Sequence, residues 1–255
     1  MELRILGCHG GESPKHKTSS FLINEKIALD AGAVTSMLTL EEQKRIETVL
    51  VSHAHLDHIK DLATLADNRC QQGGPTLVVA GLAESIEILE KHFFNDLVWP
   101  DFTKIQTPKG PTVRFEVIEP EKPVNFSGID VRAVMVNHTI DTCAFVLRTS
   151  QGSIAYSGDT GPTDRFWEVL SATDDLRALL MEVSFPNEQH GLAKASGHHT
   201  PETLAVDLGK LQDKAQLPVL LYHIKPVFES AVEKQLTKLR GQNMELCRLG
   251  DQYIL

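Results

Sequence analysis

The densest group of chemically active side chains lies in one short segment of the chain. It reads His-Ala-His-Leu-Asp-His and carries His53, His55, Asp57 and His58. Neutral imidazoles and a carboxylate are donors that zinc, manganese and iron accept. Side chains two residues apart in an extended chain point the same way, so His53 and His55 could share one metal ion, while Asp57 and His58 could bind a second. The segment therefore predicts a site for metal ions.

Further donors must come from other parts of the chain, because two protein ligands leave a metal ion incompletely coordinated. His138, Asp159 and His223 each follow a run of residues with the pattern of a strand. Open α/β sheets place their ligand sites just beyond strand ends, so these three side chains could reach one cavity. A single aspartate between glycines is more often a turn residue. It is the joint occurrence with the His/Asp segment that indicates a site.

The elements that would position these residues are short strand-like runs that alternate with helix-length amphipathic segments. Thr48–Ser52 is a continuous β-branched and leucine run, which is typical of a strand buried on both faces. Apolar residues at helical spacing predict helices over Ile59–Arg69 and Leu82–Phe93. Ser20–Leu29 is predicted as an opening strand, and Asn95–Pro111 as an irregular segment.

The composition limits the class of protein. The chain has 255 residues, of which 42% are hydrophobic, and no repeat or linker, so residues 1–255 are predicted to form a single domain. The formal net charge of −9 argues against a long nucleic acid as partner, although a local metal pair could still attract a small anion.

The cysteines and the N-terminus bear on where the protein works. The four cysteines show no metal-binding spacing, which predicts reduced thiols and a cytoplasmic protein. We see no signal peptide and no stretch apolar enough to span a bilayer, so no membrane partner is expected. The oligomeric state stays open, with a homodimer as the default because dimers are common among soluble enzymes.

In its motifs the sequence resembles the metallo-β-lactamase superfamily, whose hallmark HxHxDH stands at residues 53–58. The resemblance covers nearly the whole chain. It includes Asp30 in Leu-Asp-Ala-Gly, followed in chain order by His138, Asp159 and His223. It implies an α/β (α+β) fold, a four-layer αββα sandwich with metal ions at one edge of its two sheets.

The same resemblance implies two divalent metal ions that share one bridging ligand. The first ion takes His53, His55 and His138, the second takes Asp57, His58 and His223, and Asp159 bridges both. Asp30 would orient the ligands, and a turn aspartate before Ala-Gly is the open alternative. Zn²⁺ is the first choice, while Mn²⁺ and iron are accepted by the same donors.

Within the superfamily, several segments are similar to the class II cyclic nucleotide phosphodiesterases. They are Phe94-Asn95 with Trp99-Pro100-Asp101-Phe102-Thr103, Glu182-Val183-Ser184-Phe185, Gly197-His198-His199-Thr200-Pro201 and His223-Ile224-Lys225-Pro226. This similarity predicts hydrolysis of 3′,5′-cyclic nucleotides (cAMP or cGMP) to 5′-nucleotides, by attack of a hydroxide that bridges the two metal ions.

Roles for individual residues follow from this similarity. We predict a catalytic set of His198, Asp57 and Asp159, with His198 as proton donor and His199 as the alternative donor. Substrate contacts are predicted for His198, His199, Lys225, Asn95 and Trp99. Lys225 as a solvated lysine and Trp99 as a residue that closes the core remain open alternatives. No role is predicted for His9, His16, His92 and His190.

Three other functions use the same donors. The Gly-His-x-Thr-Pro segment also resembles ribonuclease Z, an RNA-processing nuclease of this fold, although the acidic charge argues against a tRNA substrate. A lactonase or a thioesterase would share the metal ligands. The third alternative is a protein that binds a nucleotide without turnover. Against it, metal sites with a purely structural role are usually closed by four protein ligands, whereas each ion here would keep an open position for water.

Overall fold

The computed structural model describes residues 1–211, 216–239 and 243–255. The strands in these ranges are β1 (Glu2–Gly7), β2 (Ser20–Ile23), β3 (Ile27–Leu29), β4 (Thr48–Val51), β5 (Leu77–Gly81), β6 (Gln106–Thr107), β7 (Gly110–Pro111), β8 (Val113–Val117), β9 (Val124–Phe126), β10 (Ile129–Val136), β11 (Thr142–Thr149), β12 (Gly152–Tyr156), β13 (Leu176–Glu182), β14 (Val219–Tyr222), β15 (Met244–Leu246) and β16 (Gln252–Ile254).

The helices in the same ranges are short. They are α1 (Val34–Met37), α2 (Leu40–Arg45), α3 (Leu56–Ile59), α4 (Asp61–Gln71), α5 (Ala83–Ile88), α6 (Arg165–Ser171), α7 (His190–Ser196), α8 (Pro201–Leu208) and α9 (Glu229–Leu236). A π-helical turn (Leu89–Phe93) continues α5, and 3₁₀ turns (Asn187–Gln189 and Pro226–Phe228) precede α7 and α9. Within the described ranges, no helix is long and apolar enough to cross a membrane.

Two seven-stranded sheets form the centre of the molecule. Their strand orders are β16-β1-β2-β3-β4-β5-β8 and β15-β14-β13-β12-β11-β10-β9. In the first sheet β3, β4, β5 and β8 are parallel, and in the second β12, β13, β14 and β15 are parallel. Because parallel strands end at the same edge of a sheet, the loops that follow them lie side by side.

Three buried hydrophobic clusters hold the layers together. One lies between the sheets, one joins the first sheet to α1, α3, α4 and α5, and one joins the second sheet to α6, α8 and α9. The prediction of a four-layer αββα sandwich is therefore confirmed. That residues 1–255 form a single domain stays a prediction.

An aromatic group between the sheets supports the loops above it. Phe21 of the first sheet packs against Tyr156 and Tyr222 of the second, with ring centroids 5.3 and 5.0 Å apart. Each such pair contributes about 0.5–1.5 kcal/mol beyond the burial of its area. The Tyr222 hydroxyl donates to the carbonyl of Gly158 at 2.8 Å, so the packing of the core also fixes the backbone next to Asp159.

Three local predictions were wrong in part. Ser20–Leu29 is a hairpin of β2 and β3, because Asn24 and Glu25 adopt positive φ and reverse the chain. Two short strands around a tight turn share the pattern of one longer strand. The predicted helix Leu82–Phe93 changes to π-helical turns at Leu89, and Asn95–Pro111 contains the β6–β7 hairpin.

Candidate active site

The His/Asp segment leaves the buried strand β4 and turns into the short helix α3. His53 and His55 precede the helix, and His55 caps it with an extended backbone at φ −68° and ψ 146°. Asp57 and His58 lie in the first turn of the helix. The segment thus presents one pair of donors from an extended chain and the other from a helix, although the predicted helix begins only at Ile59.

Three histidines form the first group of donors. His53 Nε2 lies 3.0 Å from His55 Nδ1, which in turn lies 3.2 Å from His138 Nε2. Nitrogen ligands about 2.1 Å from a tetrahedral zinc ion are about 3.4 Å apart, so these separations suit three ligands of one ion. The Nδ1–H of His138 donates to the carbonyl of Gly197 at 2.9 Å, which leaves its Nε2 lone pair directed at the group.

Asp57, His58 and His223 form the second group. His223 Nε2 lies 3.4 Å from His58 Nε2 and 3.5 Å from Asp57 Oδ2, while His58 Nε2 lies 3.9 Å from Asp57 Oδ2. His223 follows β14 and has a φ of 72°, a region that costs a non-glycine residue conformational energy. The surrounding tertiary structure stabilises this backbone conformation, which directs the His223 imidazole towards Asp57 and His58.

Asp159 lies between the two groups. Its Oδ2 is 3.2 Å from Nε2 of both His58 and His223 and 3.9 Å from Nε2 of His53. Burial would raise the pKa of Asp159, but the nearby imidazoles of His223 and His58 outweigh it and lower the pKa well below its usual value.

The other oxygen of Asp159 shows that these residues fit metal ions. Oδ1 is buried and has no hydrogen-bond partner among the described residues. An unpartnered buried carboxylate oxygen costs free energy, and a bound cation would remove that cost. Together the seven side chains could hold metal ions at the edge of both sheets.

Asp30 occupies the position that an orienting residue needs. Its Oδ1 accepts a hydrogen bond from the amide of Ser52 at 2.7 Å. Its Oδ2 accepts from the Ser52 hydroxyl at 2.7 Å, from His58 Nδ1 at 2.7 Å and from the Tyr156 hydroxyl at 2.5 Å. The bond to His58 fixes which ring nitrogen faces the donor groups. Ser52 adjoins the His/Asp segment, whereas nothing in the local sequence points to Tyr156.

We expect the substitution Asp30→Asn to lower metal affinity about 10–100-fold, because an amide cannot accept from all of these donors and would release His58. Competition with a chromophoric zinc chelator measures the affinity. Tyr156→Phe is the matched control, since it removes only one of the hydrogen bonds and should cost less. An Asp30→Asn protein with wild-type affinity would contradict the role.

His198 lies beside both groups of donors. It follows Gly197, whose left-handed φ of 67° ends α7, and its ring stacks on His223 with centroids 5.1 Å apart. His198 Nδ1 lies 3.2 Å from Glu182 Oε1. Burial would lower the pKa of His198, but the Glu182 carboxylate outweighs it and raises the pKa above its usual value. The Glu182 carboxylate thus favours the protonated form of the His198 ring.

Glu182 and Ser184, at the end of β13, connect His198 to the second donor group. The Ser184 hydroxyl donates to Glu182 Oε2 at 2.9 Å, and Ser184 Oγ also lies 2.9 Å from His223 Nδ1. One buried carboxylate thus orients a candidate ligand and the candidate proton donor. We assigned no role to Ser184 from the sequence, although it lies within the Glu-Val-Ser-Phe segment that suggested the phosphodiesterase similarity.

His199 lies apart from the two donor groups, and its predicted contact with the substrate stays a prediction. Its side chain is 0% exposed, and its Nδ1 lies 3.0 Å from Thr203 Oγ1 in α8. Its Nε2 lies 3.7 Å from Asp207 Oδ2. The ring is enclosed beneath α8.

The other predicted substrate contacts stay predictions. Lys225 is half-buried two residues after His223, and its amide donates to the Ser184 carbonyl at 3.2 Å. Asn95 accepts from the amide of Val98 at 2.8 Å and shapes a turn, while Trp99 donates to the carbonyl of Ala63 at 3.0 Å. Neither Asn95 nor Trp99 is hydrogen-bonded to a candidate metal ligand in the described part of the chain.

A comparison with models of protein families shows the family of this chain. The model described as the beta-lactamase superfamily domain matches residues 28–224, which contain all seven side chains of the two donor groups and Asp159. The chain belongs to the beta-lactamase superfamily. The predicted family is therefore confirmed.

Relatives with similar sequences include a probable 3′,5′-cyclic-nucleotide phosphodiesterase and a ribonuclease Z. The chain is 27% identical over 306 residues to a probable 3′,5′-cyclic-nucleotide phosphodiesterase of Yersinia pestis, covering 100% of this chain and 86% of the relative. It is 25% identical over 290 residues to a ribonuclease Z of Anoxybacillus flavithermus, covering 93% of this chain and 91% of the relative.

Among solved structures, the superfamily fold of this chain is similar to that of unliganded yeast PDE1. The TM-score is 0.85 at 20% sequence identity, and the match covers 100% of this chain and 99% of the other. At this identity the match shows the fold alone.

Proposed function

We propose that this superfamily member hydrolyses 3′,5′-cyclic nucleotides to 5′-nucleotides with the help of two divalent metal ions. The observation that carries the proposal is the position of Asp159, whose Oδ2 faces His53 on one side and His58 with His223 on the other. A carboxylate between two groups of three donors suits a pair of ions rather than one. The similarity to the Yersinia pestis protein supports the substrate class.

The residues that would hold the ions fall into the two groups already described. His53, His55 and His138 would hold one ion, Asp57, His58 and His223 the other, and Asp159 both. Bound divalent cations lower the pKa of water and neutralise negative charge on a phosphate. Imidazole and carboxylate donors accept Zn²⁺, which is our first choice, as well as Mn²⁺ or iron.

His198 and Lys225 would bind the phosphodiester, and His198 would also deliver a proton. Because Glu182 holds the Nδ1–H of His198, the protonated ring can offer its other nitrogen, Nε2, to the 3′-oxygen of the ribose as this oxygen leaves phosphorus. Lys225 supplies a positive charge close to His223, where the phosphate would be bound. At 6% exposure, His198 is screened from bulk water, which strengthens its charge interactions with the substrate.

Product analysis tests the proposal. We expect zinc-loaded protein to convert 3′,5′-cAMP or 3′,5′-cGMP to the 5′-monophosphate, because the 3′-oxygen is the leaving group. Chromatography separates the 5′- and 3′-monophosphates, and 2′,3′-cyclic nucleotides serve as the matched control. Release of a 3′-monophosphate, or no hydrolysis by the metal-loaded protein, would contradict the assignment.

A ribonuclease Z-like activity is the second candidate. It is favoured by the likeness to the Anoxybacillus flavithermus relative, whose printed name is ribonuclease Z. The net charge of −9 disfavours it, because binding tRNA requires neutralisation of many phosphates. Cleavage of a precursor tRNA in the same assay, at a rate above that of the cyclic nucleotides, would select this candidate. Lactone and thioester substrates test the hydrolases that share the metal ligands.

A further inference from the structure

A second cluster of metal-binding side chains lies outside the candidate active site. His9 and His16 belong to the segment between β1 and β2, and Glu229 begins α9. Ligand atoms of the three residues all lie within 4.8 Å of one another. His16 Nε2 is 3.3 Å from Glu229 Oε2, and His9 Nε2 is 3.8 Å from Glu229 Oε1. Glu229 follows His9 and His16 by more than two hundred positions, so no local pattern connects it with the two histidines.

Both imidazoles are oriented as ligands are. His16 Nδ1 lies 2.5 Å from Ser13 Oγ, and His9 Nδ1 lies 3.2 Å from the carbonyl oxygen and 3.3 Å from the amide nitrogen of Lys17. When Nδ1–H donates to these oxygens, Nε2 carries the lone pair, and in both residues Nε2 faces the same carboxylate. Histidines that bind metal ions are held in this way by a hydrogen bond from the other ring nitrogen. The 3.8 Å separation at His9 is also too long for a hydrogen bond.

The cluster opens into a cavity with room for an ion and its water. The cavity has a volume of about 330 Å³, and its lining includes all three side chains. Lys15 and Arg248 bring positive charge to the lining, whereas Glu233 adds a carboxylate beside Glu229. The two carboxylates offset the two cationic side chains, so the three donors face a cavity that carries no excess positive charge.

We propose that His9, His16 and Glu229 form a third metal site, which binds a divalent transition-metal cation such as Zn²⁺ and leaves a coordination position for water in the cavity. Two imidazoles and a carboxylate are donors that zinc accepts. The site does not depend on the proposed phosphodiesterase activity, because none of its ligands belongs to the groups around Asp159.

The location of the site gives the ion a structural consequence. The amide of His223 donates to the Cys8 carbonyl at 2.7 Å, and the amide of Gly10 donates to the Ile224 carbonyl at 3.0 Å. The segment that carries His9 is therefore paired with the backbone that carries His223. An ion bound by both His9 and Glu229 would therefore stabilise this pairing of the two backbone segments.

Counting bound zinc tests the proposal. The full chain is loaded with zinc, equilibrated at about micromolar free zinc and analysed by mass spectrometry for metal per chain. We expect His16→Gln and Glu229→Gln to bind one zinc ion fewer per chain than His92→Gln. His92 is an exposed histidine outside the cluster and serves as the matched control. Equal zinc content in all three variants would overturn the proposal.

A second measurement on the unmodified protein covers the case in which a variant does not fold. Crystals of the zinc-loaded chain, measured at the zinc absorption edge, should show an anomalous peak between His9, His16 and Glu229. This peak is separate from any peak near Asp159, so the result does not depend on whether the active-site proposal is correct. Absence of density for an ion at the cluster would overturn the third site.

Discussion

Replacing Asp159 with alanine is expected to remove most bound metal and to reduce hydrolysis of a cyclic nucleotide by at least about 10³-fold. The loss should equal or exceed the loss seen when an enzyme lacks one group that stabilises charge in the transition state. The reason is the position of Oδ2, which is 3.2 Å from the ring nitrogens of both His58 and His223. Without the Asp159 carboxylate, the two donor groups lose the negatively charged ligand that they would share.

Metal analysis and steady-state kinetics on the same preparation measure the effect of Asp159→Ala. Asp174→Ala is a suitable control, because Asp174 is an exposed aspartate distant in sequence from the candidate ligands. Circular dichroism verifies that both variants are folded. An Asp159→Ala protein that keeps its full metal content and its activity would contradict the bridging assignment.

For His198→Ala we expect the metal content to stay unchanged while the turnover of 3′,5′-cAMP falls about 10²–10⁴-fold, the range for loss of a general acid. The ring stacks on His223, yet its Nδ1 is held by Glu182, so its removal leaves both donor groups in place. The loss should appear in kcat, because the proton is transferred only as the leaving group departs.

A change of leaving group separates proton donation from a structural effect. Bis-(p-nitrophenyl) phosphate releases an anion that needs little protonation, so His198→Ala should impair its hydrolysis far less than that of cAMP. His199→Ala is the comparison. Because His199 is a buried neighbour of His198, its replacement should lower the stability of the protein and reduce the hydrolysis of both substrates alike. Equal losses for His198→Ala on the two substrates would exclude His198 as the proton donor.

The candidate donors could be predicted from the sequence because each is marked locally. His53, His55, Asp57 and His58 stand together, and the more distant donors each follow a strand-like run. The continuous β-branched and leucine run at Thr48–Ser52 likewise predicted a strand covered on both faces, which β4 is in the structure. Hairpins and π-helical turns were predicted less well, because their apolar spacing resembles that of longer regular elements.

The roles of neighbours in sequence could not be separated in the same way. His198 and His199 are adjacent, yet the first stacks on His223 while the second is enclosed against Thr203 and Asp207. The left-handed Gly197 and the start of α8 determine which ring faces the donors. A pattern of residue types carries no information about that choice.

By itself, therefore, the sequence predicted the family through its motifs, the layered fold through that family resemblance, and the candidate metal donors through residue types and their local spacing. Only the tertiary structure decided which side chains orient the donors and which histidine faces them. Tyr156 reaches Asp30 from the opposite sheet, and His9 meets Glu229 across the length of the chain. The physical reason is that such contacts depend on how two sheets pack, and local periodicity does not record that packing.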